Sequence, residues 1–475
     1  MTEPVESNAA RASVGIVGGG LAGLSAACAL ADAGYKVTLF ERRAFLGGRA
    51  SSYEHPGTGE VVDNCQHILL GCCTNLRDFY RRLGVEDKVR WYKRITFIEP
   101  GGRSGFIESS SLPAPFHSAL SFLQYKLLSP GDKLAIARIM LGLLAGVPSD
   151  SSEDFLSWLR RKGQTPSAIG RFWAPVLVSS LNEDLDKTSV KYAAMVFRDA
   201  FLKSAEAGQM GVPTTPLSEL YGVAADYIAA RGGQVLLRAG VDALSFGESA
   251  VTLRSNDCDF HFDYAISALP FHLFGRILPQ SEASAALQEK VSHLRTVPIT
   301  GIHLWFDREI TPLEHAALLD RNIQWMFQKS KILTPKTLTR SAESSGSYLE
   351  LVVSSSKGLL EMGRAEIIAL ARKELEEFFP AARDAQLVKA TVIKEVHATF
   401  APAPLSDQFR SSPSTPWPRL FLSGDWTATG WPSTMEGAVR AGYLTAEALS
   451  KAAGDKHSFV VPDLKPQGLM RLFRP

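Results

Sequence analysis

The sequence predicts an α/β protein in which one domain, assembled from separated stretches of chain, is interrupted by an inserted mixed α+β domain. Three observations predict it. Near the start, a β-rich run meets the glycine turn "GGGLAG", the helical pattern "LSAACALADAG" and a second β-rich run, "YKVTLFE". Near the end, the strand and glycine turn "RLFLSGDWTATG" leads into the helical pattern "MEGAVRAGYLTAEALSKA". Between the two, helical sequence gives way to a long series of strand-like runs.

Taken in order, Val14 to Val17 is the first strand and Gly34 stands where a helix C-cap is expected. Residues 112–230 read as helices punctuated by Pro and Gly, among them "EDFLSWLRRKG" and "TSVKYAAMVFRDAFLKSAEAG". Strand character returns with "GGQVLLRAGVDALSF", "SAVTLRS" and "FDYAISALP", then with the alternating runs "PITGIHLWF" and "SYLELVVSSS". A long helix, "RAEIIALARKELEEFF", precedes the final strand, turn and helix. No internal repeat is visible. The expected division is a nucleotide-binding domain from 14–95, 232–275 and 392–452, a substrate domain from 96–231 and 276–391, and flexible tails at 1–13 and 453–475.

Composition narrows the function classes. The 475 residues carry 51 Lys plus Arg against 49 Asp plus Glu, a formal net charge of +2, which lacks the basic excess of a nucleic-acid binder. Five cysteines, an odd number in a long chain, do not read as a disulfide framework, and a reduced, cytoplasmic location is expected. The N-terminus "MTEPVESNAARAS" is not a secretory signal. The longest apolar stretch, "LAIARIMLGLLAGV", falls short of the roughly 20 residues that a membrane span needs.

Gly18, Gly20 and Gly23 form G-x-G-x-x-G between a strand and a helix, and Glu41 ends the next strand where a ribose ligand is expected. The first glycine permits a tight turn, the second lets backbone approach a pyrophosphate, and the third allows close helix–strand packing. The helix N-terminus then offers free N–H groups and the positive end of its dipole to phosphate. Gly19, Leu21, Ala22 and Arg42 complete this expected dinucleotide contact.

The residues after Glu41 point to the cofactor. "ERRAFLGGRASSY" resembles the segment of FAD-dependent amine oxidases and carotenoid desaturases that continues the pyrophosphate site, here with Gly47, Gly48 and Arg49. "FLSGDWTATGWPSTMEGAVRAG" resembles the C-terminal flavin motif of the same superfamily. The resemblance implies a Rossmann-type FAD-binding domain of the glutathione-reductase-like kind. It implies that Asp425 binds the ribityl hydroxyls, that Gly424 is a further cofactor contact and that the helix from Met435, with Glu436, Gly437 and Ala438, points its N-terminus at the flavin. The dipole there favours the negative charge of reduced flavin. Val241 matches the position whose backbone contacts the adenine side.

"VVDNCQHILLGCCTNL" places Cys65, His67, Cys72 and Cys73 close together, but without the C-x2-C or H-x3-H pairs that zinc prefers, so no metal is expected. Small buried hydrophobes are the plainer reading of these cysteines. The stretch "DNCQHILLGC" resembles the signature of hydroxysqualene dehydroxylases, also called squalene-associated FAD-dependent desaturases, as do "PITGIHLWFDR", "QWMFQ", "LVVSSS", "HATFAPAP" and "GDWTATGWPSTMEGA". Cys65 departs from the pattern, which has glycine there.

This family resemblance implies reductive removal of the hydroxyl of hydroxysqualene to give squalene, in hopanoid biosynthesis, with hydride delivered from reduced flavin N5. Gln66 then lies at the flavin. His67 either protonates the departing hydroxyl or only hydrogen-bonds the flavin edge. Asp63 either orients His67 or caps a turn. Trp305 and Trp325 are candidate tunnel aromatics or simply packed strand residues, and Trp426 and Trp431 flank the flavin motif. Residues 112–146 form either an interfacial element docking transiently on a bilayer, peripheral on the inner membrane, or a core helix. No second complete G-x-G-x-x-G is present, so an external flavin reductant is expected. Carotenoid desaturases and amine oxidases run hydride transfer the opposite way on the same scaffold, and a non-catalytic FAD-binding partner is the reading from another class.

Overall fold

The computed structural model describes residues 12–55, 59–334 and 346–473. The expected N-terminal tail lies, as far as residue 11, outside the described residues. Five parallel strands form the first sheet, in the order Gln234–Leu237, Lys36–Glu41, Ser13–Val17, Tyr264–Ser267 and Leu420–Leu422. Three distant stretches of chain therefore share one Rossmann-type sheet. Strand order reverses at Ser13–Val17, and in open α/β sheets the ligand crevice lies beyond the carboxyl ends of the strands at such a point.

The helix Leu21–Asp32 is buried from Leu21 to Ala31 because another helix, Met435–Ala452, covers it. Small residues allow the close approach. A Cβ on Gly442 would lie 2.0 Å from Ser25 Oγ and 2.4 Å from the Ala22 carbonyl. Gly34 comes after the first helix with φ +85°, the left-handed conformation that a glycine adopts without steric cost.

The second sheet has seven strands in the order Leu387–Phe400, Thr296–Phe306, Ser347–Ser354, Trp325–Gln328, His315–Leu318, Arg94–Ile98 and Ser104–Glu108. Period-2 alternation divides its residues. Ile302, Leu304, Leu349 and Leu351 face the helix Arg364–Phe378, packing with Ile367, Ala371 and Leu375. Ile299, Val352 and Ser354 face a cleft shared with the first sheet. A helical layer between residues 116 and 202 adds its own core around Phe155, Trp173 and Phe197.

The boundaries move from those expected. Leu387–Phe400 belongs wholly to the seven-stranded sheet, so a division at 392 would cut a continuous strand. Helices Leu217–Gly222 and Ala224–Ala229 lie in the core of the first domain, where Leu217, Tyr221 and Ile228 pack with Leu24 and Leu30. The tail expected to be flexible at 453–475 packs on the body over its described residues 453–473. Phe459 and Met470 are buried, and the Val461 N–H donates to Asn75 Oδ1 at 2.8 Å.

Candidate functional site

A cleft of about 560 Å³ opens where the first sheet reverses its strand order. Gly18 carries the chain off the first strand at φ +109°, in a region other residues rarely occupy. A Cβ on Gly23 would lie 2.0 Å from the Gly18 carbonyl, so only glycine lets the helix start this close to the turn. That helix has no side-chain cap and no acid in its first turn, so its N–H groups are left to face the cleft and suit an anion. The N-terminus of Met435–Ala452 reaches the same cleft, which Met435 and Ala438 line together with Gly20, Leu21 and Ala22.

Glu41 ends its strand at the cleft, accepting from the N–H of Gly19 and of Arg43 at 2.7 Å each. Arg42 and Val241 line the same end. At the other end Arg49 Nη2 lies 2.5 Å from Asp425 Oδ1, and Ser433 Oγ donates to the second Asp425 oxygen. Burial opposes the charge on Asp425, but Arg49 and the donated hydrogen bonds outweigh it and hold the carboxyl below the usual carboxylate range. Gly48, Gln66 and Gly424 also face the cleft. The polar rim and two helix N-termini around an elongated crevice fit FAD.

The segment 64–68 lines the cleft through Cys65, Gln66 and His67. His67 Nδ1 lies 2.7 Å from the Cys65 carbonyl, which can only accept, so Nδ1 carries the proton and Nε2 is left as an acceptor. Burial pushes the His67 pKa below its ordinary value, against the pull of that carbonyl, and the ring is neutral at pH 7. A neutral ring of this tautomer accepts a proton at Nε2; the expected acid role would need it protonated first. Asp63 neither lines the cleft nor touches His67 with its carboxylate. It accepts from Ser52 Oγ at 2.6 Å, from the Leu217 N–H at 3.1 Å and from Lys329 Nζ at 3.0 Å. Burial and the nearby Glu350 push the Cys65 thiol pKa well up, making it an inert neighbour of the cleft. Among the described residues no group of three or more His, Cys, Asp and Glu could hold a metal ion.

A second cavity of about 760 Å³ adjoins the cleft, sharing Ile68, Ser179, Ser180 and Met435 with it. Leu, Ile, Phe, Met and Ala dominate its walls. Trp325 lies on that wall, donating to Ser179 Oγ at 2.6 Å. Trp305 does not. It is buried against Tyr348, with ring centroids 4.3 Å apart and planes within 7°, and lines neither cavity. Period 2 puts it on the same face as Ile299, but at an end of the sheet that Val62 covers and where Tyr348 of the neighbouring strand stacks on it, so packing accounts for it. Trp426 lines the cleft and Trp431 the apolar cavity.

Glu436, expected at the cofactor, turns the other way. It accepts from the Asn75 and Leu76 N–H groups and caps the helix Thr74–Leu83. Gly19 likewise does not line the cleft, its N–H being spent on Glu41. Sequence reasoning missed Ala239, Leu269, Arg276 and Glu395, which line the cleft from loops and a strand without any motif, and Thr399, which stands inside "HATFAPAP". Ser433 had a signal, since it stands inside "GWPSTMEGA".

The chain matches the family model described as flavin containing amine oxidoreductase over residues 21–450. It is 27% identical over 463 residues to 15-cis-phytoene desaturase of Synechococcus elongatus, covering 92% of this chain and 95% of that protein. It is 26% identical over 481 residues to the chloroplastic/chromoplastic zeta-carotene desaturase of Arabidopsis thaliana, covering 93% and 85%. Its fold is that of an oxidoreductase from Methanosarcina mazei, with a TM-score of 0.70, 18% identity and coverage of 90% and 98%. Putrescine oxidase bound to putrescine also shares it, with a TM-score of 0.68, 18% identity and coverage of 92% and 98%. With a cradle fitted to FAD and a family match running from its first helix to its last, the chain belongs to the flavin containing amine oxidoreductases and is an FAD-dependent oxidoreductase.

Proposed function

We propose that this oxidoreductase acts on a long, apolar polyprenoid, and specifically that it removes the hydroxyl of hydroxysqualene to give squalene. The single observation that carries the substrate class is the 760 Å³ cavity, walled almost entirely by hydrocarbon side chains and continuous in lining with the FAD cleft. The finer reading rests on the strings "DNCQHILLGC" and "GDWTATGWPSTMEGA". FAD supplies hydride chemistry when bound; the chain must hold the substrate, exclude water and manage one proton. The apolar walls exclude water from the reacting carbon. The departing hydroxyl leaves as water with one proton, which would cross at His67 Nε2 after the resting neutral ring has taken it up from solvent.

The test is product analysis after anaerobic incubation of the pre-reduced protein with hydroxysqualene. Squalene carrying one deuterium, from flavin reduced in D₂O, at the carbon that lost oxygen is the expected result. No turnover overturns the dehydroxylation, and squalene without that label overturns hydride delivery from flavin N5.

A second reading is favoured by one observation. Neutral His67, with Nε2 as acceptor, suits proton removal, and so suits desaturation of a carotene by oxidised flavin. The relatives from Synechococcus elongatus and Arabidopsis thaliana carry desaturase names. Turnover of phytoene but not hydroxysqualene would select it.

The substrate's low solubility gives a reason for transient contact with a membrane. Phe116, Leu123, Leu134 and Leu141 line the apolar cavity yet are exposed, beside Lys126 and Arg138. This arrangement supports docking of the cavity mouth on an anionic bilayer. No helix among the described residues is long and apolar enough to cross a membrane. Leu123→Glu with Leu134→Glu should abolish co-sedimentation with phosphatidylglycerol vesicles while FAD stays bound. Unchanged sedimentation would remove this face.

A further inference from the structure

Lys329 is buried at the end of the strand Trp325–Gln328, outside both cavities. Its ammonium has three acceptors: Asp63 Oδ2 at 3.0 Å, Gln66 Oε1 at 2.8 Å and Glu350 Oε2 at 3.1 Å. Lys329 opens the short helix Lys329–Ile332 after its strand and Glu350 lies in the strand Ser347–Ser354 of the seven-stranded sheet, while Asp63 ends the strand Val61–Asp63 just before the segment in which Gln66 lines the FAD cleft. Gln66 Nε2 in turn donates to the His67 carbonyl at 3.1 Å. The ammonium thus reaches the cleft wall through one side-chain amide.

The charges do not balance. Two carboxylates, with side chains 4% and 0% exposed, share one ammonium that is 2% exposed. Asp63 is saturated by Ser52, Leu217 and Lys329, whereas among the described residues neither Glu350 oxygen has a hydrogen-bond partner besides its ion pair with Lys329. A second buried anion with so little support is where a proton is held. Among the described residues, the other titratable groups around Glu350 do not supply the missing charge. His303, directly across the strand pair, donates to or accepts from Tyr348 Oη at 2.9 Å, and burial beside Lys329 keeps it neutral with its pKa down to about 3. Burial keeps the Tyr348 hydroxyl and the Cys65 thiol protonated.

We propose that Lys329, Asp63 and Glu350 form a charge node that positions the Gln66–His67 wall of the FAD cleft and makes the bound flavin sense the proton on Glu350. Lys329 and Glu350 are positioning residues here, since neither touches the cleft. The proposal rests on FAD occupying the cleft and not on the identity of the substrate. Burial, opposed by Lys329, lifts the Glu350 pKa to about 7, so the node changes from neutral to net negative across neutral pH. Negative charge near the ring disfavours the reduced flavin anion.

The test tracks the visible spectrum and midpoint potential of the FAD-loaded protein between pH 5.5 and 8.5, with FAD stoichiometry measured separately. Wild type should show an inflection near pH 7, and Glu350→Gln, which keeps the shape, should bind FAD fully and lose it. Lys329→Met should move the inflection up by at least about one pH unit, because the nearby cation that favours the carboxylate is gone. His67→Gln should keep it, since the His67 ring titrates below the ordinary histidine range. An inflection absent from wild type, retained in Glu350→Gln or abolished in His67→Gln overturns the proposal. If Glu350→Gln fails to fold, the His67→Gln and Lys329→Met arms still decide it.

Discussion

Arg49 and Asp425, 376 residues apart in the chain, meet across the FAD cleft with Nη2 2.5 Å from Oδ1. The pair joins the two ends of the cofactor-binding sequence. Asp425→Ala would leave the Arg49 guanidinium and the Ser433 hydroxyl without their acceptor. FAD binding should weaken by at least about 2 kcal/mol, the lower range for truncating one partner of a hydrogen-bonded charge pair. Titration of the apoprotein with FAD, monitored by flavin fluorescence, measures it.

The same pair sets an acid limit. Asp425 has a folded pKa below its unfolded value of roughly 3.9, so its stabilisation is complete above that value and is lost as pH falls through the folded pKa. FAD should therefore remain bound at pH 5 and leave only below about pH 4. Release already at pH 5.5, read as recovered FAD fluorescence, would contradict this.

Glu41 holds the Gly19 turn and the Arg43 backbone at the cleft rim. Glu41→Ala should lower FAD affinity by about 1.5–3 kcal/mol, the range for hydrogen bonds to a charged group. An unchanged affinity would separate Glu41 from the cofactor.

His67→Ala should retain FAD and slow turnover by about 10²–10⁴-fold if the ring moves the proton. The pH profile gives the direction. As a base, His67 works deprotonated, so the rate should be flat above pH 6.5 and fall as pH drops through its lowered pKa. As an acid it would work protonated, and the rate should rise toward low pH. Steady-state rates from pH 5 to 8 distinguish the two.

Trp305 and the apolar cavity that Trp325 lines should respond differently to substitution. Trp305→Ala removes a stacked core side chain and should cost about 3–5 kcal/mol of stability. Ala137→Trp, on the same apolar cavity as Trp325, should leave the melting temperature nearly unchanged and raise KM about tenfold by filling the substrate's space. Thermal melts and kinetics on both variants check the contrast.

Local rules were enough for the phosphate-binding turn. Gly18 and Gly23 are dictated by φ and by contact distance within a few residues, and so are readable wherever they occur. The C-terminal motif was legible for a similar reason: Asp425, Met435 and Ala438 lie in one short strand–turn–helix unit whose geometry the residue types fix. The sequence by itself thus determined the FAD domain, its two cofactor-binding ends and the strand alternation of the second sheet. Only the tertiary structure decided which side of each element a residue used. Glu436 turned from the flavin to cap the helix Thr74–Leu83, Trp305 was covered by Val62 and Tyr348 at an end of its sheet face that the cleft does not reach, and Asp63 met Lys329 instead of His67. Those outcomes depend on which distant element arrives opposite, and a buried charge or indole takes whatever partner best offsets its desolvation. That is a property of the assembled core, which no local spacing records.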